Sequence, residues 1–171
     1  IKKLNPKIKI LFINLGRNLL IDVICFSKIF MELHPELLSI NGNMDFHEKS
    51  DIAFLEAEYY DLLENNNINL FINVASMQEM DIQVIHRYFE LMRSSNLGPY
   101  FYCCNRDEKT LPDGNQICFS DYPWQDTEIL MDELCPWYQK YLTSRPPFWQ
   151  PFDGLHRHRL VKFSRKDNEL C

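Results

Sequence analysis

Three polar residues follow an apolar segment of the chain at a spacing that could support chemistry on a bound ligand. Ser76, Gln78 and Glu79 come directly after residues 70–74, a run typical of a strand. In an open α/β sheet, ligands bind at the carboxyl ends of the strands. The sequence therefore predicts that these side chains reach a ligand-binding edge. A structural role explains the spacing equally well, because Ser76 could cap a helix starting near Asp81 while Glu79 completes a capping box.

Two further candidates follow the strand predicted at residues 100–104. Asn105 and Arg106 come at its carboxyl end and are expected at the same edge of the sheet. Arg106 could instead pair with Asp107 or Glu108, which at a protein surface is worth only ~0–1 kcal/mol. Both interpretations are compatible with the residue types.

A second group of candidates lies nearer the carboxyl terminus. Asp121, Tyr122 and Trp124 place a carboxylate beside aromatic faces, the composition expected of a loop that contacts carbohydrate. Trp124 could equally pack in the core. His156 and His158 alternate on a predicted strand and therefore share one face. Either could act as a base, since the pKa of histidine lies near neutral, although an ordinary histidine on a sheet face is the alternative.

The elements that must hold these residues alternate along the first hundred positions. The pattern predicts strands at 8–15, 52–55, 70–74 and 100–104, with helices at 19–33, 58–64 and 81–93. Such alternation is typical of βαβ units, so we expect the four strands to lie parallel in one sheet with helices on both faces.

The pattern changes after residue 105. A turn is predicted at 111–115 and a short strand at 117–119, and a turn signal also lies at 41–43. Residues 121–153 are rich in proline and aromatic residues, and a helix between 128 and 141 would be interrupted by Pro136. Alternation over 157–163 predicts a final strand.

Composition narrows the class of protein. The chain has 171 residues and a net charge of −6, which argues against a basic nucleic-acid-binding face. No apolar run approaches the roughly 18 residues of a membrane helix, and no secretory signal opens the chain. The six cysteines form no zinc-site spacing, so we expect no metal, reduced thiols and a cytoplasmic location. The length suits one domain.

The five glycines carry a separate implication. None is spaced as in a G-x-G-x-x-G or P-loop motif, which would let the backbone approach a nucleotide-type cofactor. We expect either that the chain binds no such cofactor or that the loop lies upstream of Ile1, in which case the chain is a fragment or a processed product.

Seven segments together resemble the sugar O-methyltransferases, a family of S-adenosylmethionine-dependent enzymes. They are LFINVASMQEM (70–80), YFYCCNR (100–106), EKTLPDG (108–114), FSDYPW (119–124), DELCPW (132–137), RPPF (145–148) and HRHRLVKF (156–163). Their order and spacing carry the resemblance over most of the last hundred residues. LFINLGRNLL (11–20) matches more loosely, as the second strand of the methyltransferase sheet.

The resemblance implies a Rossmann-like α/β sheet, mostly parallel with an antiparallel C-terminal strand, in one partial domain that lacks the first strand and its glycine-rich loop. It places Asn14 where an acidic residue usually holds the cofactor ribose, and Glu56 at the level of the adenine. It places Ala75, Ser76 and Gln78 near the methionine end. Because a charged acceptor and a glycine loop are missing, we expect this chain alone to bind S-adenosylmethionine weakly or not at all.

The resemblance also implies roles for the remaining candidates. Glu79 would bind sugar hydroxyls or accept the proton of the attacking hydroxyl, and Asp121 and His156 are the other catalytic candidates. Asn105, Arg106, Tyr122 and Trp124 would contact the sugar or glycan. We expect Glu79, Asn105 and Asp121 to converge on one cleft. The alternative is a non-catalytic α/β carbohydrate-binding or assembly module.

Overall fold

A computed structural model describes residues 5, 7–30, 35–38, 51–64 and 67–165. The chain divides into two compact units, unit 1 at Ile1–Glu64 and unit 2 at Asn65–Cys171. The turn predicted at 41–43 lies outside the described residues. Within the described ranges, no helix is both long enough and apolar enough to cross a bilayer.

The described residues of unit 1 form a small parallel sheet and one α-helix. Its elements are β1 (Ile10–Asn14), α1 (Gly16–Ile29), β2 (Pro35–Leu37), β3 (Ile52–Glu56) and a 3-10 helix (Ala57–Leu63). The strand order is β1-β3-β2, and both pairs are parallel. The central strand, β3, is buried, and its Ile52 and Phe54 side chains pack with residues of β1 and α1.

Aromatic packing joins helix and sheet within unit 1. Phe54 of β3 stacks on Phe12 of β1, with ring centroids 5.3 Å apart, and Phe26 of α1 meets the Phe12 ring at 4.7 Å. Leu19 is the buried residue of α1. The helix begins at Gly16, earlier than the predicted residue 19, because the chain turns directly from β1 into it.

Unit 2 holds most of the predicted site. Its strands are β4 (Leu70–Val74), β5 (Tyr100–Arg106), β6 (Glu108–Thr110), β7 (Gln116–Cys118), β8 (Thr127–Leu134), β9 (Lys140–Leu142), β10 (Trp149–Pro151) and β11 (His156–Phe163). Its helices are α2 (Ile82–Ser94) and two 3-10 helices, Met77–Glu79 and Phe119–Asp121.

A four-stranded mixed sheet organises unit 2. Its order is β4-β5-β11-β8; β4 and β5 are parallel, and β11 runs antiparallel to both of its neighbours. The pairs β6–β7 and β9–β10 form separate antiparallel hairpins. The apolar face of α2 contributes Ile85, Phe89 and Met92 to the core, as its periodicity predicts. Phe89 meets Phe101 of β5 edge to face, at 5.5 Å between centroids.

One expectation about the sheet is corrected. The four predicted parallel strands do not share one sheet: β1 and β3 belong to the sheet of unit 1, whereas β4 and β5 belong to that of unit 2. The architecture is therefore mixed α/β with several sheets. The antiparallel C-terminal strand is confirmed as β11.

The helix considered between residues 128 and 141 is also wrong. Thr127–Leu134 is β8, since its backbone groups pair with β11. β2 was not predicted, because Pro35 indicated only the end of a helix. The turn at 111–115 is confirmed, with Leu111 N donating to Asn115 O at 2.7 Å.

Candidate functional site

The carboxyl ends of β4 and β5 are joined by side chains that bond to one another. Asn105 is fully buried, and its Oδ1 accepts from the backbone N of Gln78 at 3.2 Å. Its Nδ2 donates to Oδ1 of Asn73 at 3.0 Å. Oδ1 of Asn73 also accepts from the backbone N of Met77 at 3.1 Å. The backbone N of Arg106 donates to Oε1 of Gln78 at 2.7 Å. We call Asn73, Gln78 and Asn105 the amide network.

The amide network changes the roles of two predicted ligand contacts. Gln78 is 5% exposed and Asn105 0%, and the polar atoms described above are satisfied inside the protein. Both residues therefore hold the end of β5 against the turn after β4. Asn73 was missed by sequence reasoning, although an asparagine inside an otherwise apolar strand was an available signal.

Ala75 and Ser76 form the tight turn that follows β4. Ala75 adopts a φ of +55°, in the left-handed region, and its N–H donates to Cys104 O at 2.8 Å. Ser76 accepts a hydrogen bond from Nδ2 of Asn73 at 2.6 Å. The capping alternative for Ser76 is wrong: α2 is capped by Asp81, whose Oδ1 accepts from Gln83 N at 2.7 Å.

The φ of Ala75 supports a stability prediction. Left-handed backbone costs a non-glycine residue roughly 1–2 kcal/mol, and glycine removes that cost but loses more chain entropy on folding. We expect Ala75→Gly to raise the free energy of unfolding by roughly 0.5–1 kcal/mol in urea titration. Ala53→Gly, in the ordinary extended backbone of β3, should lower it. Equal losses in both variants would contradict the argument.

Glu79 lies beside the amide network and carries an ion pair. Its Oε1 accepts from Lys109 Nζ at 2.9 Å and from Gln78 Nε2 at 3.2 Å. The hydrogen bond from Lys109 is the main cause that holds the pKa of Glu79 below its usual 4.5. A lowered pKa makes a weaker base. The side chain is 49% exposed and is reached from Asn105 through Gln78, so Glu79 and Asn105 lie at the same edge of the sheet, although the fully buried Asn105 does not face solvent there.

The lowered pKa gives a pH prediction with a defined sign. The folded protein holds the Glu79 carboxylate charged, so the pair with Lys109 stabilises the fold above about pH 4.5. That contribution is lost as the pH falls through the lower folded pKa. We expect Glu79→Gln to reduce the loss of stability between pH 6 and pH 3, which thermal melts report as a smaller fall in Tm. The effect on the free energy of unfolding should be under ~1 kcal/mol because the pair is exposed. An unchanged acid profile, equal to that of the exposed-carboxylate control Glu90→Gln, would contradict the assignment.

The two histidines share a face, as predicted, but both are buried. His156 is 1% exposed, and the rings of Tyr138 and Phe152 lie 4.6 and 4.9 Å from its ring. Burial, with a smaller contribution from the charge of Arg106, lowers the pKa of His156. His158 contacts Tyr102 Oη at 3.1 Å and a carboxylate of β8 at 3.2 Å. His156 is therefore an enclosed ring whose charged form is disfavoured by burial.

The remaining predicted residues separate into exposed and buried groups. Asp121 is exposed and accepts from Ser120 Oγ at 3.1 Å. Tyr122 is 3% exposed, and burial raises the pKa of its hydroxyl. Trp124 packs on Phe89 at 5.1 Å between centroids, which confirms its core-packing alternative. Tyr122 and Trp124 therefore pack on the core side of the segment at residues 119–124.

Arg106 does not form the predicted surface pairs. Its guanidinium lies 6.0 Å from the Phe152 ring centroid, and its Nε is buried without a hydrogen-bond partner. Asp107 accepts instead from Arg157 Nε at 2.8 Å. Arg157 and Arg159 both bond to Asp132, at 3.3 and 2.7 Å.

A cavity of about 320 Å³ opens beside these ion pairs. It is lined by Asp107, Glu108, Phe119, Ser120, Arg157 and Arg159, and we call it the arginine pocket. Sequence reasoning missed all six because they come from three separated segments. The available signal was the alternation of Arg157 and Arg159 with the histidines of β11.

In unit 1, Asn14 and Glu56 are partners in the register of β1 and β3. Asn14 Nδ2 donates to Asp22 Oδ2 at 2.8 Å, and Asn14 Oδ1 accepts from Leu15 N at 2.9 Å. The carboxylate of Glu56 occupies the space that a Cβ on Gly16 would need. Asp22 of α1 thus places a carboxylate beside Asn14.

Comparisons with known proteins give one partial likeness. No protein family matches the chain, and no solved structure matches it. The chain is similar to the septin homolog spn4 of Schizosaccharomyces pombe, with 26% identity over 103 residues. The matched region covers 60% of this chain, and the chain spans about a quarter (26%) of that relative. Across the described residues, no group of three or more side chains is arranged to hold a metal ion.

Proposed function

We propose that the chain is part of a Rossmann-like, S-adenosylmethionine-dependent enzyme that methylates a hydroxyl group of a sugar or glycan. The observation that carries the proposal is the sheet of unit 2, in which antiparallel β11 lies between β5 and β8. It agrees with the antiparallel C-terminal strand expected from the resemblance to sugar O-methyltransferases. The polar groups gathered at the carboxyl ends of β4 and β5 support it further.

The acceptor chemistry in unit 1 fits the ribose of S-adenosylmethionine. Asp22 and Glu56 are carboxylates near the carboxyl ends of β1 and β3, and carboxylates accept hydrogen bonds from paired hydroxyls. Asn14 would orient Asp22 through their 2.8 Å bond. When bound, the cofactor supplies a methyl group that is activated by the positive sulfonium.

The residues of unit 2 would position a hydroxyl and remove its proton. Among the candidate bases, Asp121 is exposed, whereas His156 is enclosed and Glu79 has a lowered pKa. We therefore assign the base role to Asp121. Asn105 and Gln78 act as positioning residues, because their bonds fix the ends of β4 and β5. Alignment and deprotonation are the main contributions that such a protein can make.

The test is transfer of labelled methyl groups from S-adenosylmethionine to neutral sugars and oligosaccharides, monitored by mass spectrometry. Cofactor is supplied at millimolar concentration, because no glycine-rich loop is present in the sequence to bring the backbone close to it. A product heavier by one methyl group supports the proposal. Absence of product with every acceptor, while sugar binding persists, favours the second candidate, a carbohydrate-binding module.

The second candidate is favoured by one observation. The residues of the amide network form hydrogen bonds with one another, and Glu79 is paired with Lys109. The polar groups at the carboxyl ends of β4 and β5 therefore have partners without a ligand. Such an edge suits a binding scaffold as well as an enzyme. The 26% likeness to a septin homolog covers too little of that protein to favour either candidate.

A further inference from the structure

We infer that the arginine pocket is the acceptor site and that it binds a single neutral pyranose ring. The inference rests on the proposed function for the choice of sugar, but its geometry is independent of any methyl donor. The pocket lies wholly within unit 2, where the chain between β5 and β6, the 3-10 helix Phe119–Asp121 and β11 come together.

The donors and acceptors of the pocket complement vicinal hydroxyl groups. Carboxylates accept only and guanidiniums donate only, whereas a hydroxyl does both. Asp107 and Arg157 remain 31% and 33% exposed beside their 2.8 Å bond, so each keeps surface toward a ligand. Glu108 and Ser120 are exposed and add a further acceptor and a hydroxyl. A ring with adjacent hydroxyl groups can therefore donate hydrogen bonds to the carboxylates and accept them from the guanidiniums.

The charge of the pocket favours a neutral ligand. Its two lining guanidiniums, on Arg157 and Arg159, face two lining carboxylates, on Asp107 and Glu108. Asp132 is a third carboxylate, bonded to both arginines. Two positive and three negative groups leave the cluster with a formal charge of −1. A sugar phosphate or uronate would meet net repulsion there.

The size of the pocket favours one ring. A volume of about 320 Å³ lies at the lower end of the ~300–1,000 Å³ typical of small-molecule sites. Phe119 is 1% exposed, so it supports the pocket from the core. The guanidinium of Arg159 lies 5.2 Å from the Phe119 ring centroid and 4.5 Å from that of Trp124, and these aromatic contacts hold the guanidinium in place.

The position of Asp121 connects the pocket to the proposed reaction. Asp121 follows Ser120, a lining residue, and is bonded to it at 3.1 Å. A ring held by the pocket would thus be presented beside the carboxylate assigned as the base. This assigns acceptor binding to residues that were not among the site candidates predicted from the sequence.

The test measures binding of the methyl glucopyranoside, galactopyranoside and mannopyranoside by the whole chain without methyl donor, using calorimetry and saturation-transfer NMR. We expect Glu108→Ala to weaken the best ligand about tenfold, because a charge-assisted hydrogen bond is lost. The matched control is Glu90→Ala, an exposed carboxylate on α2, with thermal melts to show that both variants fold. Glucose 6-phosphate and glucuronate are expected to bind more weakly than the neutral rings.

The outcomes separate the pocket from the enzyme. Equal affinities of Glu108→Ala and Glu90→Ala, or tighter binding of the anionic probes, overturn the pocket assignment. So does the absence of binding by every neutral ring. Methyl transfer that continues unchanged in Glu108→Ala also overturns it, while leaving the proposed enzyme intact. Pyranoside binding that is weakened in Glu108→Ala supports the pocket even when no methyl transfer is seen.

Discussion

Asp121→Asn is expected to lower the rate of methyl transfer to a sugar about 10²–10⁴-fold, the usual contribution of a general base. The substitution keeps the shape of the side chain, and its remaining oxygen can still accept the bond from Ser120 Oγ. What is lost is the negative charge that would take the proton of the hydroxyl. The binding of the sugar itself should change little.

The measurement is initial rate against sugar concentration, so that kcat and KM are separated. A fall in kcat with KM nearly unchanged is the expected result. The matched control is Asp113→Asn, an exposed turn carboxylate that bonds to Asn115 and lies outside the lining of the arginine pocket. If Asp121→Asn retains the rate of Asp113→Asn, Asp121 is not the base, and Glu79 becomes the next candidate to test.

Local patterns predicted those elements whose apolar residues have a regular period. β4 occupies residues 70–74, with the predicted bounds, and α2 spans 82–94 against a predicted 81–93. α2 depends on contacts between residues close in sequence, whereas β4 pairs with β5 thirty residues later and was recognisable from its apolar run LFINV. β8 shows the limit, because Thr127–Leu134 forms a strand only through pairing with β11 about thirty residues later. The segment TEILMDEL mixes apolar and acidic residues without a strand-like alternation, so its sequence does not indicate that pairing.

The site shows the same limit in side-chain chemistry. Sequence position correctly placed Gln78 and Asn105 at one edge, but it could not show that they bond to each other rather than to a ligand. The arginine pocket needed three segments to be brought together before Asp107 and Arg157 could be recognised as partners. Residue type and spacing thus located the edge, whereas burial and bonding partners decided which side chains remain available.

Asn105→Ala should lower the free energy of unfolding by about 3 kcal/mol, through loss of the amide network. The change removes the acceptor for the buried backbone N–H of Gln78 and the donor to Asn73. A buried polar group left without a partner costs ~1–3 kcal/mol, and the vacated space adds to that loss. Asn115→Ala, at an exposed turn position where the side chain bonds to Asp113, should cost under ~1 kcal/mol.

Urea unfolding and pyranoside titration on the same variants distinguish a positioning role from ligand contact. If Asn105 holds β5 against the turn after β4, Asn105→Ala loses stability, and the ligand-free melt already shows the loss. A ligand-contacting Asn105 would behave differently, with stability close to that of Asn115→Ala and a selective loss of sugar affinity. Because the side chain is fully buried and its Oδ1 and Nδ2 both have partners inside the protein, we expect the first result. That result would make the polar edge a rigid support for the neighbouring arginine pocket.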